Sequence, residues 1–316
     1  MLNSTPLGND IVEAHNRIKP YTHVTPTLTS TLLNDLTDAN LFFKCENFQK
    51  AGSFKSRGAV NAILSLSKDK LVKGVSTHSS GNFAQALARA ARILNVPAYI
   101  VMPENAPKVK VDAVMNYGGE ITFCTPTLAD REKTIKKVIA KTGATEIHPY
   151  DNYDIIAGQG TATLELLEQV EDLDIILCPV GGGGLVSGTA LSAVYFSDNT
   201  KVIACEPLGA DDAYRSMIEG RIIPSVNPDT IADGLLTSLG ERNFPIIREY
   251  VDEVVTVTED SIIEAMRLIY ERMKIIIEPS SAVTLAAIIE NKVDVSGKNI
   301  GLIISGGNVD LKKIPF

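Results

Sequence analysis

The chain has few cysteines, no block of basic residues and no unbroken apolar stretch long enough to span a bilayer. Each lack removes a class of function. The four cysteines, Cys45, Cys124, Cys178 and Cys205, are far apart and form no C-x-x-C pair, which argues against a disulfide framework. Three of them lie in apolar, strand-like runs and read as small buried hydrophobes of a reducing compartment, so a cytoplasmic location is expected. A formal net charge of −8 with no offsetting basic block excludes a nucleic-acid or anionic-membrane surface. Residues 1–17 hold no apolar core of signal-peptide length. Residues 175–197 carry no charged side chain, but Pro179 and a run of glycines interrupt them. They are expected to form a buried strand, a tight loop and a buried helix, and no membrane span. There is no internal repeat and no low-complexity tract.

What is present is an ordinary globular balance: 316 residues, 45% hydrophobic and 22% charged, enough for one large or two medium domains. Helical spacing over 11–17 and 28–35 precedes an alternating run, Leu41-Phe42-Phe43-Lys44-Cys45-Glu46, that reads as a strand. From Lys73 the patterns alternate, with strands at 74–77, 97–102 and 120–124 and helices at 84–94, 109–116 and 128–142. A second alternation places helices at 161–169 and 185–196 and strands at 175–178 and 202–205. After an irregular stretch over 218–247 come a strand at 253–257, helices at 261–274 and 281–289, and a strand at 300–304. Such alternation implies right-handed crossovers onto parallel sheets. The expected fold is α/β, with two open, twisted, mostly parallel sheets flanked by helices. A small domain over 71–150 is expected as an insertion in a large domain made of 1–70 and 151–316, with the site in the cleft between them.

Chemistry concentrates in a few stretches. Ser53-Phe54-Lys55-Ser56-Arg57-Gly58 joins the first clear strand to a helix, and puts Lys55 where the helix dipole disfavours a cation. An amine kept neutral is a nucleophile toward a carbonyl. Pro179-Val180-Gly181-Gly182-Gly183-Gly184-Leu185 lies between a buried strand and a buried helix, so its backbone N–H groups can close on an anion such as phosphate. Its spacing is neither the dinucleotide fingerprint nor the P-loop, and no acidic ribose partner follows, so NAD is not expected. Thr77-His78-Ser79-Ser80-Gly81-Asn82 precedes an apolar helix, where it is expected both to cap the helix and to receive a carboxylate. Ser305-Gly306-Gly307-Asn308 follows the last strand.

In this order, and together with 230–234 and 254–260, these stretches resemble the fold-type II pyridoxal-phosphate enzymes along almost the whole chain. The resemblance is to the serine racemase and serine/threonine dehydratase branch, most of all to the serine racemases. It implies that Lys55 forms a Schiff base with pyridoxal phosphate, that Gly181, Gly182, Gly183 and Gly184, with Leu185, hold the phosphate, and that Asn82 contacts the ring hydroxyl. It also implies that Ser305 faces the pyridine nitrogen and that Phe54 and Gly234 border the ring, the glycine leaving volume for the cofactor. A serine at the nitrogen does not keep it protonated, which suits racemisation or β-elimination and disfavours transamination. Ser79, Ser80, Asn82, Arg131 and Thr237 are implied as substrate contacts. Relatives usually have histidine after the asparagine, where this chain has Phe83, which changes the pocket rim. Residues 150–154 are expected at the entrance.

Racemisation requires an acid/base on each side of the substrate plane, and Lys55 serves one side only. Racemases of this branch carry serine at the position of Ser80, whereas several pure dehydratases carry alanine. The resemblance further implies a Mg²⁺, Ca²⁺ or Mn²⁺ site at Glu206, Ala210 and Asp212, whose oxygen ligands suit such an ion. It implies ATP as an activator near Gln85, Lys274, Glu278 and Asn308, and a homodimer. The regulatory domain that biosynthetic threonine deaminases append after the last motif is not expected. The expected activity is interconversion of L- and D-serine, with elimination of serine to pyruvate and ammonia. A serine/threonine or 3-hydroxyaspartate ammonia-lyase with little racemisation is the alternative, followed by an aspartate racemase. A non-catalytic ligand sensor would have no need of Lys55 and Ser305.

Overall fold

The computed structural model describes residues 1–106 and 108–316, with the backbone alone at Val109 and Leu128. Ten strands form two sheets. The larger contains β1 (Thr27–Leu28), β2 (Asn40–Cys45), β7 (Ile175–Pro179), β8 (Lys201–Pro207), β9 (Glu253–Val257) and β10 (Asn299–Ile304), in the order β1-β2-β10-β7-β8-β9. All its pairings are parallel except β1 with β2. The smaller contains β3 (Val75–His78), β4 (Ala98–Pro103), β5 (Glu120–Cys124) and β6 (Thr145–Glu146), all parallel, in the order β5-β4-β3-β6. No helix among the described residues is long and apolar enough to cross a membrane.

The central strands of the larger sheet are apolar on both sides, because each faces helices on both sides. Ile300, Leu302 and Ile304 of β10 pack with the helix Pro279–Ile289, while Ile303 turns toward the helix Gly184–Phe196. β7 repeats the pattern, with Ile175 and Leu177 on the first side and Ile176 and Cys178 on the second. This period of two within an unbroken apolar run locks the register, since a one-residue slip would exchange the two cores. All four cysteines are free and buried in strands.

Several elements differ from the sequence expectation. Residues 27–28 form β1 and the following helix is Thr31–Thr37, since the chain extends after Pro26 and only then turns. The helix expected over 161–169 begins eight residues earlier, at Tyr153 (Tyr153–Gln169), where the Asn152 side chain accepts the Ile155 N–H at 3.1 Å. Its first half is buried on all sides and contains Gly158 and Gly160, so it shows no amphipathic period. The irregular stretch includes the helix Asn243–Tyr250. The helix expected over 261–274 is Glu259–Leu268, continued by a wider π turn over Ile269–Met273 that ends at Lys274 with φ +60°.

A buried charge network anchors the helix Lys55–Leu64. Arg57, fully enclosed, donates Nε and Nη2 to Glu46 at 2.7 and 2.8 Å and Nη1 and Nη2 to Glu165, each at 2.7 Å. Lys44 adds a second cation on Glu165 at 2.8 Å. The helix is thereby tied to β2 and to Tyr153–Gln169.

Candidate active site

Because β2, β10 and β7 are neighbours and parallel, the chain leaves all of them at one edge of the sheet, the usual location of ligand sites in α/β folds. Beyond β2 comes Lys55, at the end of β10 comes Ser305, and β7 runs into the glycine loop. The end of β3 adds Ser79 and Ser80 from the other sheet. A cavity of about 420 Å³ gathers every residue expected to meet cofactor or substrate: Phe54 and Lys55, Ser79, Ser80 and Asn82, Arg131, the loop from Gly181 to Leu185, Gly234, Thr237 and Ser305.

Lys55 is the first residue of its helix, and its Nζ donates to the Pro149 carbonyl at 3.1 Å and stands 4.8 Å from the centre of the Phe54 ring. Burial pulls its amine down to about 8, with the Glu278 charge acting in the opposite direction. Desolvation therefore leads, where the sequence pointed to the helix dipole. The segment is stitched to the end of β10: Phe54 N–H donates to the Ser305 carbonyl at 3.0 Å and Gly307 N–H to the Gly52 carbonyl at 2.9 Å. Ser305 is buried and its hydroxyl pairs with that of Ser281 at 3.0 Å.

The glycine loop is tight as well as bare. A Cβ at Gly181 would stand 3.0 Å from the Leu235 Cα, one at Gly182 would collide with the Tyr150 ring, and Gly183 has φ +93°. No side chain caps the helix Gly184–Phe196 that follows. Gly234 is also closely packed: a Cβ there would lie 2.8 Å from the Ser280 hydroxyl, which accepts the Gly234 N–H at 2.9 Å.

The capping expectation at Ser79-Ser80-Gly81-Asn82 is corrected. Gly81 is the N-cap of Asn82–Ile93 and no side chain caps it; the Ser79 hydroxyl accepts only the Gly81 N–H, at 3.3 Å. The leading N–H groups of that helix are thus left for a ligand. Asn82 Nδ2 donates to both oxygens of Glu278, and Asn308 Nδ2 donates to Asn82 Oδ1 at 3.0 Å. Phe83 is buried in the core of the smaller sheet, its ring 6.0 Å from Lys55 Nζ. Arg131 has a buried Nε with no hydrogen-bond partner among the described residues.

The residues matched to an ATP contact are otherwise engaged. Glu278 and Asn308 hold Asn82, Gln85 is buried, and Lys274 donates to the Glu271 carbonyl at 2.5 Å. Glu206, at the end of β8, and Ala210 and Asp212, just after it, are all buried. Glu206 accepts the N–H groups of Ala213 at 3.2 Å and Tyr214 at 2.6 Å, while Asp212 Oδ2 has no hydrogen-bond partner among the described residues. Burial, with Asp212 beside it, pushes Glu206 up to about 9, and burial pushes Asp212 up to about 6.

Lys110, a further residue of the wall, lies outside the motifs. Lys110 is ion-paired with Asp233 across the rim, linking the helix Lys108–Asn116 to the 230–234 stretch. Asp233 stands within a quoted motif, whereas nothing in the surface-like sequence around Lys110 marks it. His148 accepts the Asp151 N–H at 2.9 Å on Nδ1 and is pulled down to about 4, mainly by burial, so it is neutral. Asp154 leaves the site and faces a separate cavity of about 210 Å³ beside Met1, Leu2 and Arg17.

The family model of pyridoxal-phosphate-dependent enzymes matches residues 18–306. The chain is 56% identical to the serine racemase of Dictyostelium discoideum, covering 96% of this chain and 95% of that one. The crystal structure of serine racemase from the same organism superposes with a TM-score of 0.93 over 98% of this chain and 100% of that chain. The beta-hydroxyaspartate dehydratase of Paracoccus denitrificans is 49% identical, over 98% of this chain and 99% of its own length. The chain belongs to the pyridoxal-phosphate-dependent enzymes, in the branch of the serine racemases and serine/threonine dehydratases.

Proposed function

We propose that this enzyme interconverts L- and D-serine and also eliminates water from serine, giving pyruvate and ammonia. The observation that carries the reading is the convergence of Lys55 and Ser80 from different sheets on one cavity. The cavity fits pyridoxal phosphate: a glycine cradle with no room for side chains, an uncapped helix start for the phosphate, and a buried lysine whose amine is readily neutral. When bound, the cofactor supplies an electron sink that acidifies the substrate Cα–H. Lys55 takes or returns the Cα proton on one side and Ser80 on the other. The exposed N–H groups at Asn82, with Ser79 and Arg131, hold the α-carboxylate, and Thr237 completes the substrate set. Elimination uses Lys55 alone and releases the β-hydroxyl as water. With the cofactor bound, Ser305 would meet the pyridine nitrogen with a hydroxyl, Phe54 and Gly234 would border the ring, and Asn82 would orient its hydroxyl.

In the same reading, 71–150 acts as a small domain set in a large one made of 1–70 and 151–316. Glu206, Asp212 and the Ala210 carbonyl hold Mg²⁺, Ca²⁺ or Mn²⁺ as a structural ion; the unpartnered Asp212 oxygen and the raised carboxyls suit a divalent cation. A homodimer is supported by exposed Val24, Phe48 and Ile276, brought together where His23 Nδ1 meets the Phe48 carbonyl and Asn47 donates to Ile276. Four buried free cysteines suit the cytoplasm.

A second reading, 3-hydroxyaspartate ammonia-lyase, is favoured by the 49% identity to a beta-hydroxyaspartate dehydratase and by Lys110, a cation of the cavity wall able to exchange Asp233 for a second substrate carboxylate. Incubation with serine, threonine, aspartate and 3-hydroxyaspartate, measuring the D isomer and the keto acid in parallel, separates the two. D-serine from L-serine is expected; keto acid from 3-hydroxyaspartate with no D-serine would replace the first reading with the second.

A further inference from the structure

Of residues 150–154, Tyr150 alone lines the cavity. Asp151 accepts the Arg242 N–H at 2.7 Å, Asn152 caps a helix, and Asp154 accepts the Leu2 N–H at 3.0 Å. Tyr150 is held at every point. Its carbonyl accepts from Asn152 N–H at 3.0 Å and Asn243 Nδ2 at 3.2 Å. Its ring meets His148 edge-on, with centres 4.6 Å apart, and lies over the glycine loop so closely that a Cβ at Gly182 would strike it. A Cβ at Gly184 would come within 3.0 Å of the Tyr150 Cβ. The hydroxyl faces Thr237, another residue of the wall. Burial raises the phenol to about 12, so at neutral pH it is a hydrogen-bond donor and not an anion.

The bareness of Gly182 and Gly184 therefore has a second cause beside the approach of an anion. These glycines also make room for a tyrosine reaching in from the far side of the cleft. One side chain shapes the phosphate cradle and forms part of the wall that a substrate side chain would meet.

We propose that Tyr150 is a specificity-determining residue: its ring, clamped on the glycine loop, bounds the space for the substrate's β-substituent, and its hydroxyl, in the same wall as Thr237, hydrogen-bonds that substituent. The inference rests on the amino-acid reading above. It assigns the site to α-amino acids with a small polar group on Cβ, and against those with a bulky apolar one.

The test compares cofactor-loaded wild type with Tyr150→Phe, Tyr150→Ala and Thr237→Val. Cofactor affinity is read by absorbance titration of the apo-proteins, and kcat and KM are read for L-serine, L-threonine and 3-phenylserine. Tyr150→Phe keeps the ring and is expected to leave the cofactor dissociation constant unchanged while raising KM for L-serine by about tenfold, with kcat less affected. Thr237→Val is expected to move KM in the same direction. Tyr150→Ala is expected to weaken cofactor binding and to raise kcat/KM for threonine and 3-phenylserine relative to serine by at least about tenfold. Should wild type turn over no hydroxy amino acid, the proposed function fails. Should wild type be active while Tyr150→Phe and Tyr150→Ala keep its KM for serine and its order of preference, the assignment of Tyr150 alone is overturned.

Discussion

Asn82 Nδ2 donates to both carboxylate oxygens of Glu278, at 2.8 and 2.9 Å, joining the helix after β3 to the start of Pro279–Ile289 across the cavity. Glu278 is buried, its carboxyl pushed up to about 7 mainly by desolvation, and it is the anion that raises Lys55. Glu278→Gln removes that anion, so the Lys55 amine is expected below about 8. The rate at which apo-protein takes up pyridoxal phosphate, followed by absorbance against pH, should reach half-maximum near pH 8 in wild type and at lower pH in the variant. An unchanged or higher midpoint would contradict the assignment.

In the proposed reaction Ser80 serves only the second proton transfer of racemisation. Ser80→Ala should reduce D-serine formation from L-serine by at least about a hundredfold and leave pyruvate formation from L-serine largely intact. Persistence of D-serine formation would show that another group serves that side.

If Glu206 and Asp212 hold a cation as proposed, stability is expected to depend jointly on pH and on that cation. Both carboxyls are raised in the folded protein, so without a cation the folded state binds protons more tightly than the unfolded one. That stabilisation is present below the ordinary carboxylate range and is lost as pH rises through about 6 and then about 9. A bound divalent ion favours the charged forms, so the rise in melting temperature on adding Mg²⁺ to chelated protein should be larger at pH 8.5 than at pH 5.5. Equal shifts at the two pH values, or none, would remove the metal from these residues.

Arg57 is enclosed with two carboxylates that depend on it. Arg57→Met leaves Glu46 and Glu165 with only Lys44 as a buried counter-charge, and should lower unfolding free energy by about 3–5 kcal/mol in denaturant titration. A loss below about 1 kcal/mol would mean that the network relaxes or admits water.

Local signals were strongest where residue type and spacing are themselves the physical requirement. The strand at 253–257 and those in the first alternation were readable because apolar runs of that length, set between helical patterns, can be buried in few other ways. The beginning of the helix Tyr153–Gln169 was not readable. Its residues are small, glycine-containing and buried all round, so the amphipathic period that marks a helix is missing. The two-residue strands β1 and β6 were equally silent, because their pairing partners, not their own composition, make them strands.

At the site, Lys55 and the glycine run could be picked out in the chain, since an amine and an anion-binding backbone at strand ends are chemical features of the residues themselves, whereas Ser305 was reached only through the family resemblance. The partners of those groups could not. That the Pro149 carbonyl receives the Lys55 amine, that Glu278 holds Asn82, and that Lys110 crosses the rim to Asp233 depends on contacts between residues 94, 196 and 123 positions apart. Burial follows from the same long-range packing, and so do the lowered Lys55 and the raised Glu206. Composition and motif specify which chemical groups are available; the folded arrangement sets their distances and solvation, and through these their protonation and partners.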